Sequence, residues 1–111
     1  MKITRRQIRR IIAEASLGDL QNQRRELLST SYEQFDRKNL PTHSRDTKHR
    51  TRYARKDGAP VPPEDLELLQ MHDDSVREAG GAYAALGGVY TTSLSEDGML
   101  LVVQYYRHTA G

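Results

Sequence analysis

The sequence predicts an α+β fold: N-terminal amphipathic helices, a basic linker, then a helix packed on a C-terminal antiparallel β-hairpin or small sheet. Three observations carry that expectation. Helix-period apolar residues with cap signals occupy the first 35 positions. The stretch NLPTHSRDTKHRTRYARKDGAPVPP has no apolar period and holds all four prolines, three of them in its last four residues. The last 30 residues contain two β-rich runs flanking an Asp-Gly turn.

The opening MKITRRQIRRIIAEA has a helix-start grammar. Thr4 suits an N-cap, and Gln7 three residues later completes a capping box. Ile3 and Ile8 stand where a hydrophobic staple closes around that cap. Ile8, Ile11, Ile12 and Ala15 then form one stripe, with Arg5, Arg6, Arg9 and Arg10 largely on the other side, so a helix is expected over Arg5–Ser16. Asp19 suits the cap of a second helix, in which Leu20, Leu27, Leu28, Ser31 and Phe35 share a face. That helix takes residues 15–38. Residues 39–62 are then expected to be a basic flexible linker.

Order is expected to return in a small α+β unit over 63–111. Pro63-Glu64-Asp65 fits the first turn of a helix, proline at the first position and acids at the positive end. Leu66, Leu69, Val76 and Ala79 continue it to a stop at Gly80-Gly81. Tyr83–Leu86 reads as a short strand or a helical turn. Val89–Leu94 is one strand, Ser95-Glu96-Asp97-Gly98 a turn, and Met99–His108 a second strand whose Met-Leu-Leu-Val-Val run suggests burial on both faces. An isolated hairpin is unstable in water, so the preceding helix should cover it.

Composition narrows the function classes. A chain of 111 residues with 36% apolar residues supports one small domain with a thin stability margin. Without cysteine there is neither a disulfide framework nor a thiolate metal site. No apolar run approaches the roughly 20 residues of a membrane span. The net charge of +2 hides segregation: residues 1–14 carry +4, 15–36 carry −2, 37–56 carry +7 and 57–111 carry −7. Two basic blocks alternate with two acidic ones, a pattern suited to nucleic-acid binding or to self-association.

Enzyme signals are scarce, and no catalytic residue or cofactor is expected. The chain has no phosphate-binding glycine loop with its lysine and no nucleophile elbow. His43, Asp46 and His49 have a spacing that would converge on a helix, but eight cations in 37–56 oppose a metal ion, and solvated loop residues are the plainer reading. His72-Asp73-Asp74 reads likewise as a solvated acidic helix face. Residues 37–56 could neutralise phosphates without sequence preference: Arg45, Lys48, Arg50, Arg52, Arg55 and Lys56 are the candidate contacts, with Tyr53 for stacking. The opening helix, with three Ile and two Ala on its apolar face, would anchor only weakly to a bilayer, and no membrane partner is expected.

The leader MK…IAEA resembles the capsid-targeting sequence of internal head proteins from large contractile-tailed phages. The fuller form MKITRRQIRRII also resembles a leader on small, otherwise unrelated proteins of marine phages. The resemblance covers about 15 of the 111 residues. It implies a helix whose stripe, Ile3, Ile8, Ile11 and Ile12, docks on prohead core or scaffold proteins. It further implies a prohead protease that cuts after Glu14 in the site Ile12, Ala13, Glu14, Ala15. The mature protein would then lie in the virion interior and pass with the genome into the host cytoplasm, to protect DNA or act on a host protein. An ordinary first helix ending by chance in Ile-Ala-Glu is the plainer alternative. The competing function is a small nucleic-acid-binding or regulatory protein that uses basic residues 1–10 and 37–56, and a third is an oligomer joined through the Ile stripe.

Overall fold

The computed structural model describes residues 17–42, 46–79 and 88–107. They form two helices and one four-stranded antiparallel sheet. In chain order these are α1 (Leu17–Ser31), β1 (Tyr32–Asn39), β2 (Thr47–Arg55), α2 (Pro63–Glu78), β3 (Val89–Leu94) and β4 (Leu100–Arg107). The spatial strand order is β1-β2-β4-β3, so β2 and β4 are interior and β1 and β3 are edges. The α+β class and the helix on an antiparallel sheet are as the sequence predicts. The helix expected over Arg5–Ser16, the stop at Gly80-Gly81 and the Tyr83–Leu86 segment lie outside the described residues.

Two corrections concern residues 15–62. The helix placed over 15–38 ends at Ser31, and Tyr32 begins a strand without an intervening loop. The Ser29-Thr30-Ser31 run explains the stop: the Ser29 and Thr30 hydroxyls both donate to the Glu26 carbonyl, at 3.2 and 2.7 Å. The exposed carbonyls at the helix end are then taken from outside the helix. Lys56 donates its backbone N–H to Ser31 and its ammonium to the Ser29 carbonyl, at 3.0 and 2.9 Å. The second correction concerns 39–62, which holds an interior strand where a flexible linker was expected. Strand β2, TKHRTRYAR, pairs with β1 through residues 49–55 and with β4 through residues 47–54. Its inward side chains are Thr, His, Tyr and Arg, so no aliphatic alternation advertises it.

Helix α2 behaves as its sequence implies. Pro62 is the N-cap and Pro63 opens the first turn, with Glu64 and Asp65 at the positive end. Its buried side, however, is broader than the apolar stripe. His72 and Asp73 are 3% and 2% exposed, where a solvated face was expected. They stand three and four residues after Leu69 and before Val76, so the helix turns them to the sheet with that stripe. Asp73 accepts a 2.7 Å hydrogen bond from the Thr92 hydroxyl on β3, and its other oxygen lies 3.2 Å from His72 Nδ1. Burial of these polar groups is thus matched by hydrogen bonding.

The core lies between the helices and one face of the sheet. Tyr32, Val61, Leu69 and Leu101 form its buried centre, with Leu27, Leu28, Tyr53 and Leu66 packed around them. A polar tie crosses that core: the Tyr32 hydroxyl donates to Asp65 on α2 at 2.7 Å, and Arg55 on β2 reaches the same carboxylate oxygen at 3.4 Å. Burial first, then the bond to Asp65, pushes the Tyr32 hydroxyl far above its usual range. In β4, Leu101 and Val103 are buried under the helices, while Leu100 and Val102 on the other face are only half-buried. Burial on both faces was expected of this run. Among the described residues the helices cover a single face, and flanking strands shelter the other.

Strand β3 enters through Gly88 at φ +104°. A Cβ there would lie 2.6 Å from the Tyr106 carbonyl oxygen and 2.9 Å from the Tyr105 hydroxyl. Backbone conformation and close approach both require glycine. Gly88→Ala is therefore expected to destabilise the protein by at least about 1–2 kcal/mol from the backbone alone. Urea unfolding measures this, and a midpoint unchanged from the parent would contradict the placement.

Candidate nucleic-acid interface

Alternation along β2 sorts its side chains by face. His49, Thr51, Tyr53 and Arg55 point to the helices: Thr51 is 6% exposed, Tyr53 packs on the core, and Arg55 meets Asp65. Lys48, Arg50 and Arg52 therefore project from the opposite face, about 6.6 Å apart along the strand. Cross-strand pairing extends the row. Lys38 on β1 stands opposite Arg50, which stands opposite Gln104 on β4. No described helix crosses this face.

Two aromatic side chains frame the cations. A register irregularity between Gln34 and Asp36 sets Phe35 and Asp36 together opposite Arg52. Phe35 is 60% exposed, and the Arg52 guanidinium lies 5.3 Å from its ring centre. At the other end Tyr106 pairs with Lys48 across β4 and β2, and its hydroxyl donates to Asp46 at 2.9 Å. The Asp46 bond, followed by burial, pushes the Tyr106 hydroxyl above its ordinary value. A shallow hollow of about 370 Å³ lies beside Tyr106, between Lys48 and Pro41.

The row is not uniformly available. Arg52 forms a two-pronged ion pair with Asp36, Nε to Oδ1 at 2.8 Å and Nη2 to Oδ2. Hydrogen bonding to Arg52, with smaller help from the Arg50 charge, holds the Asp36 carboxyl below the usual carboxylate range. Lys38, Lys48 and Arg50 make no ion pair among the described residues.

The structure divides the sequence-predicted contacts. Lys48, Arg50 and Arg52 share the helix-free face. Tyr53 lies on the other side, within the core, and offers no stacking surface. Arg55 also lies on the helix side, where Asp57 grips it at 2.9 and 2.6 Å and Asp65 lies at 3.4 Å. Lys56 is occupied by the end of α1. Arg45, the targeting stripe Ile3, Ile8, Ile11 and Ile12, and the cleavage site Ile12, Ala13, Glu14 and Ala15 lie outside the described residues.

Sequence reasoning named neither Phe35 nor Tyr106 as a contact. Period two counted from Arg50 would have picked out Tyr106 through its partner Lys48, but only once the pairing of β2 with β4 was known. His43 lies outside the described residues. Asp46 contacts Tyr106, while His49 stacks on Tyr105 with ring centres 4.8 Å apart on the helix side, so these two do not converge. Burial, then the Arg37 charge, lowers the His49 pKa from its ordinary 6.5. No group of three His, Asp or Glu suited to a metal occurs among the described residues. None of the described helices is long and apolar enough to cross a membrane.

The chain matches no protein-family model, no curated protein and no solved structure.

The Asp36–Arg52 pair is solvent-facing, so its removal should alter titration more than stability. In Arg52→Gln the Asp36 carboxyl is expected to titrate closer to the ordinary value of 3.8. Carbon-detected NMR titration reads this, and an unmoved Asp36 would contradict the pairing.

Proposed function

We propose that this protein is a phage internal head protein in two parts. Residues 1–14 address it to the assembling prohead and are removed after Glu14. The remaining body holds nucleic acid without sequence preference on the helix-free face of its sheet.

The observation that carries the second part is the gathering of Lys38, Lys48 and Arg50, unpaired among the described residues, beside Phe35 and Tyr106 on the sheet face that no described helix covers. Cations in a row attract the phosphate backbone by releasing its counterions. Aromatic faces among them let bases stack, which every base does. Such a surface would hold packaged or newly delivered DNA regardless of sequence. The first part rests on the leader alone: its Met-Lys start, its Ile stripe and its Ile-Ala-Glu-Ala end. Removing it lowers the net charge from +2 to −2. Binding by the mature body would then depend on charge collected on one face, not on net charge. A nucleic-acid-binding protein with a permanent first helix uses the same face, and the leader's fate separates the two readings.

Fluorescence anisotropy with random-sequence DNA at increasing salt tests the surface. Binding is expected to weaken steeply with salt, and Arg50→Gln to lower the slope of log K against log salt by about 0.7–0.9. A Tyr53→Phe variant should leave the slope unchanged. Salt-independent binding, or a slope untouched by Arg50→Gln and Lys48→Gln together, would contradict the assignment. Mass spectrometry of the protein from purified particles tests the leader: the expected N-terminus is Ala15, and an intact Met1 favours the permanent helix.

A further inference from the structure

A second cationic site lies on the other side of the sheet, away from the proposed nucleic-acid face. It is a cleft of about 520 Å³ between α1 and α2, above the start of β3. That volume is within the range of small-molecule sites, about 300–1,000 Å³. Gln21, Arg24 and Arg25 reach it from α1, His72 and Val76 from α2, and Tyr90 from β3. None of its described lining residues is a carboxylate.

Arg24 is the centre of the site. Its guanidinium sits 4.5 Å above the Tyr90 ring centre. That ring is itself fixed, 5.1 Å from Tyr105 and 5.8 Å from His72. Arg24 Nε is shielded from water and has no hydrogen-bond partner among the described residues. A guanidinium that is partly dehydrated, set over an aromatic ring and without an acid partner among the described residues is attractive to an anion. Its terminal N–H groups provide a planar fork suited to carboxylate or phosphate oxygens. His72 adds a positioned imidazole. Asp73 engages its Nδ1 at 3.2 Å and is held in turn by Thr92, which leaves Nε2 as the ring nitrogen for a ligand.

We propose that this cleft binds a small organic anion. Its carboxylate or phosphate group sits on Arg24 and Arg25, and its uncharged remainder packs on Val76 and Leu28. The site is independent of the sheet face, from which the body of the sheet separates it.

NMR titration of the full chain with inorganic phosphate, benzoate and adenosine monophosphate tests the proposal. At least one probe is expected to shift the Arg24, His72 and Tyr90 signals saturably. Saturation by benzoate but not phosphate identifies a carboxylate ligand, and the reverse identifies a phosphoryl one. Arg24→Gln is expected to weaken that binding about tenfold or more, and Arg25→Gln to weaken it less. Arg50→Gln on the sheet face should leave it unchanged, whatever its effect on DNA. If Arg24→Gln loses its folded spectrum, Arg24→Lys keeps the charge without the planar fork and should bind more weakly than the parent. Absence of saturable shifts with all three probes at millimolar concentration would overturn the proposal. So would Arg24 and Arg25 variants that bind as tightly as the parent.

Discussion

The interior position of β2 is the constraint on which the rest of the structure depends. A strand between two partners offers its backbone to both, and its side chains must divide strictly between two faces. With Thr51 and Tyr53 committed to the helix side, Lys48, Arg50 and Arg52 have no place except the opposite face. A slip of one residue would turn those three cations into a core beside Leu69 and Leu101, at a desolvation cost a domain this small does not sustain. The arrangement of charge and the register of the sheet are therefore one fact. Pairing of β2 with β4 also brings Tyr106 alongside Lys48, and pairing with β1 brings Lys38 alongside Arg50.

Polar side chains do much of the work of the core. Its buried centre holds few apolar residues, in keeping with the modest apolar content of the chain. Tyr32, Asp65, Arg55 and Asp57 join β1, α2, β2 and the turn after β2 in one hydrogen-bonded chain. Asp73, His72 and Thr92 join α2 to β3 in another. Each network orients its members as well as burying them, since an unmatched buried polar group would be costly. The acids that make residues 57–111 so negative are thus partly structural, and the cations of 37–56 split between this internal use and the open face. Arg55 and Lys56 serve the fold, whereas Lys48 and Arg50 make no ion pair among the described residues.

The sequence made the second half of the chain legible for clear reasons. Pro63 with Glu64 and Asp65 marks a helix start, and Asp97-Gly98 between β-rich runs marks a hairpin. The structure shows α2, β3 and β4 within a residue or two of those marks. The strands β1 and β2 were hidden because β1 buries Tyr32 alone among its residues and β2 turns His, Thr, Tyr and Arg inward, all ordinary loop residues. The Lys-His-Arg-Thr-Arg-Tyr alternation was present, but it alternates charge with half-polar groups, and an aliphatic search overlooks it. Phe35 looked like the end of a helical stripe. It is instead an exposed strand residue, because the Ser29-Thr30-Ser31 run closes the helix first. For the candidate interface, charge density pointed to a segment but not to which of its cations share a face. Only register separates Arg50, which makes no ion pair among the described residues, from Arg55, which is clamped by two carboxylates.

Residues 47–55 form an interior strand, and the sorting of the body's cations between two faces depends on that placement. Residue-resolved hydrogen–deuterium exchange of the full chain tests this most directly. Amides of Thr51, Arg52 and Tyr53 should be protected to the same degree as those of Leu101, Val102 and Val103, because they belong to one ladder. Exchange of residues 47–55 at the rate of an unstructured peptide, while β3 and β4 stay protected, would contradict the claim and return this segment to a basic linker.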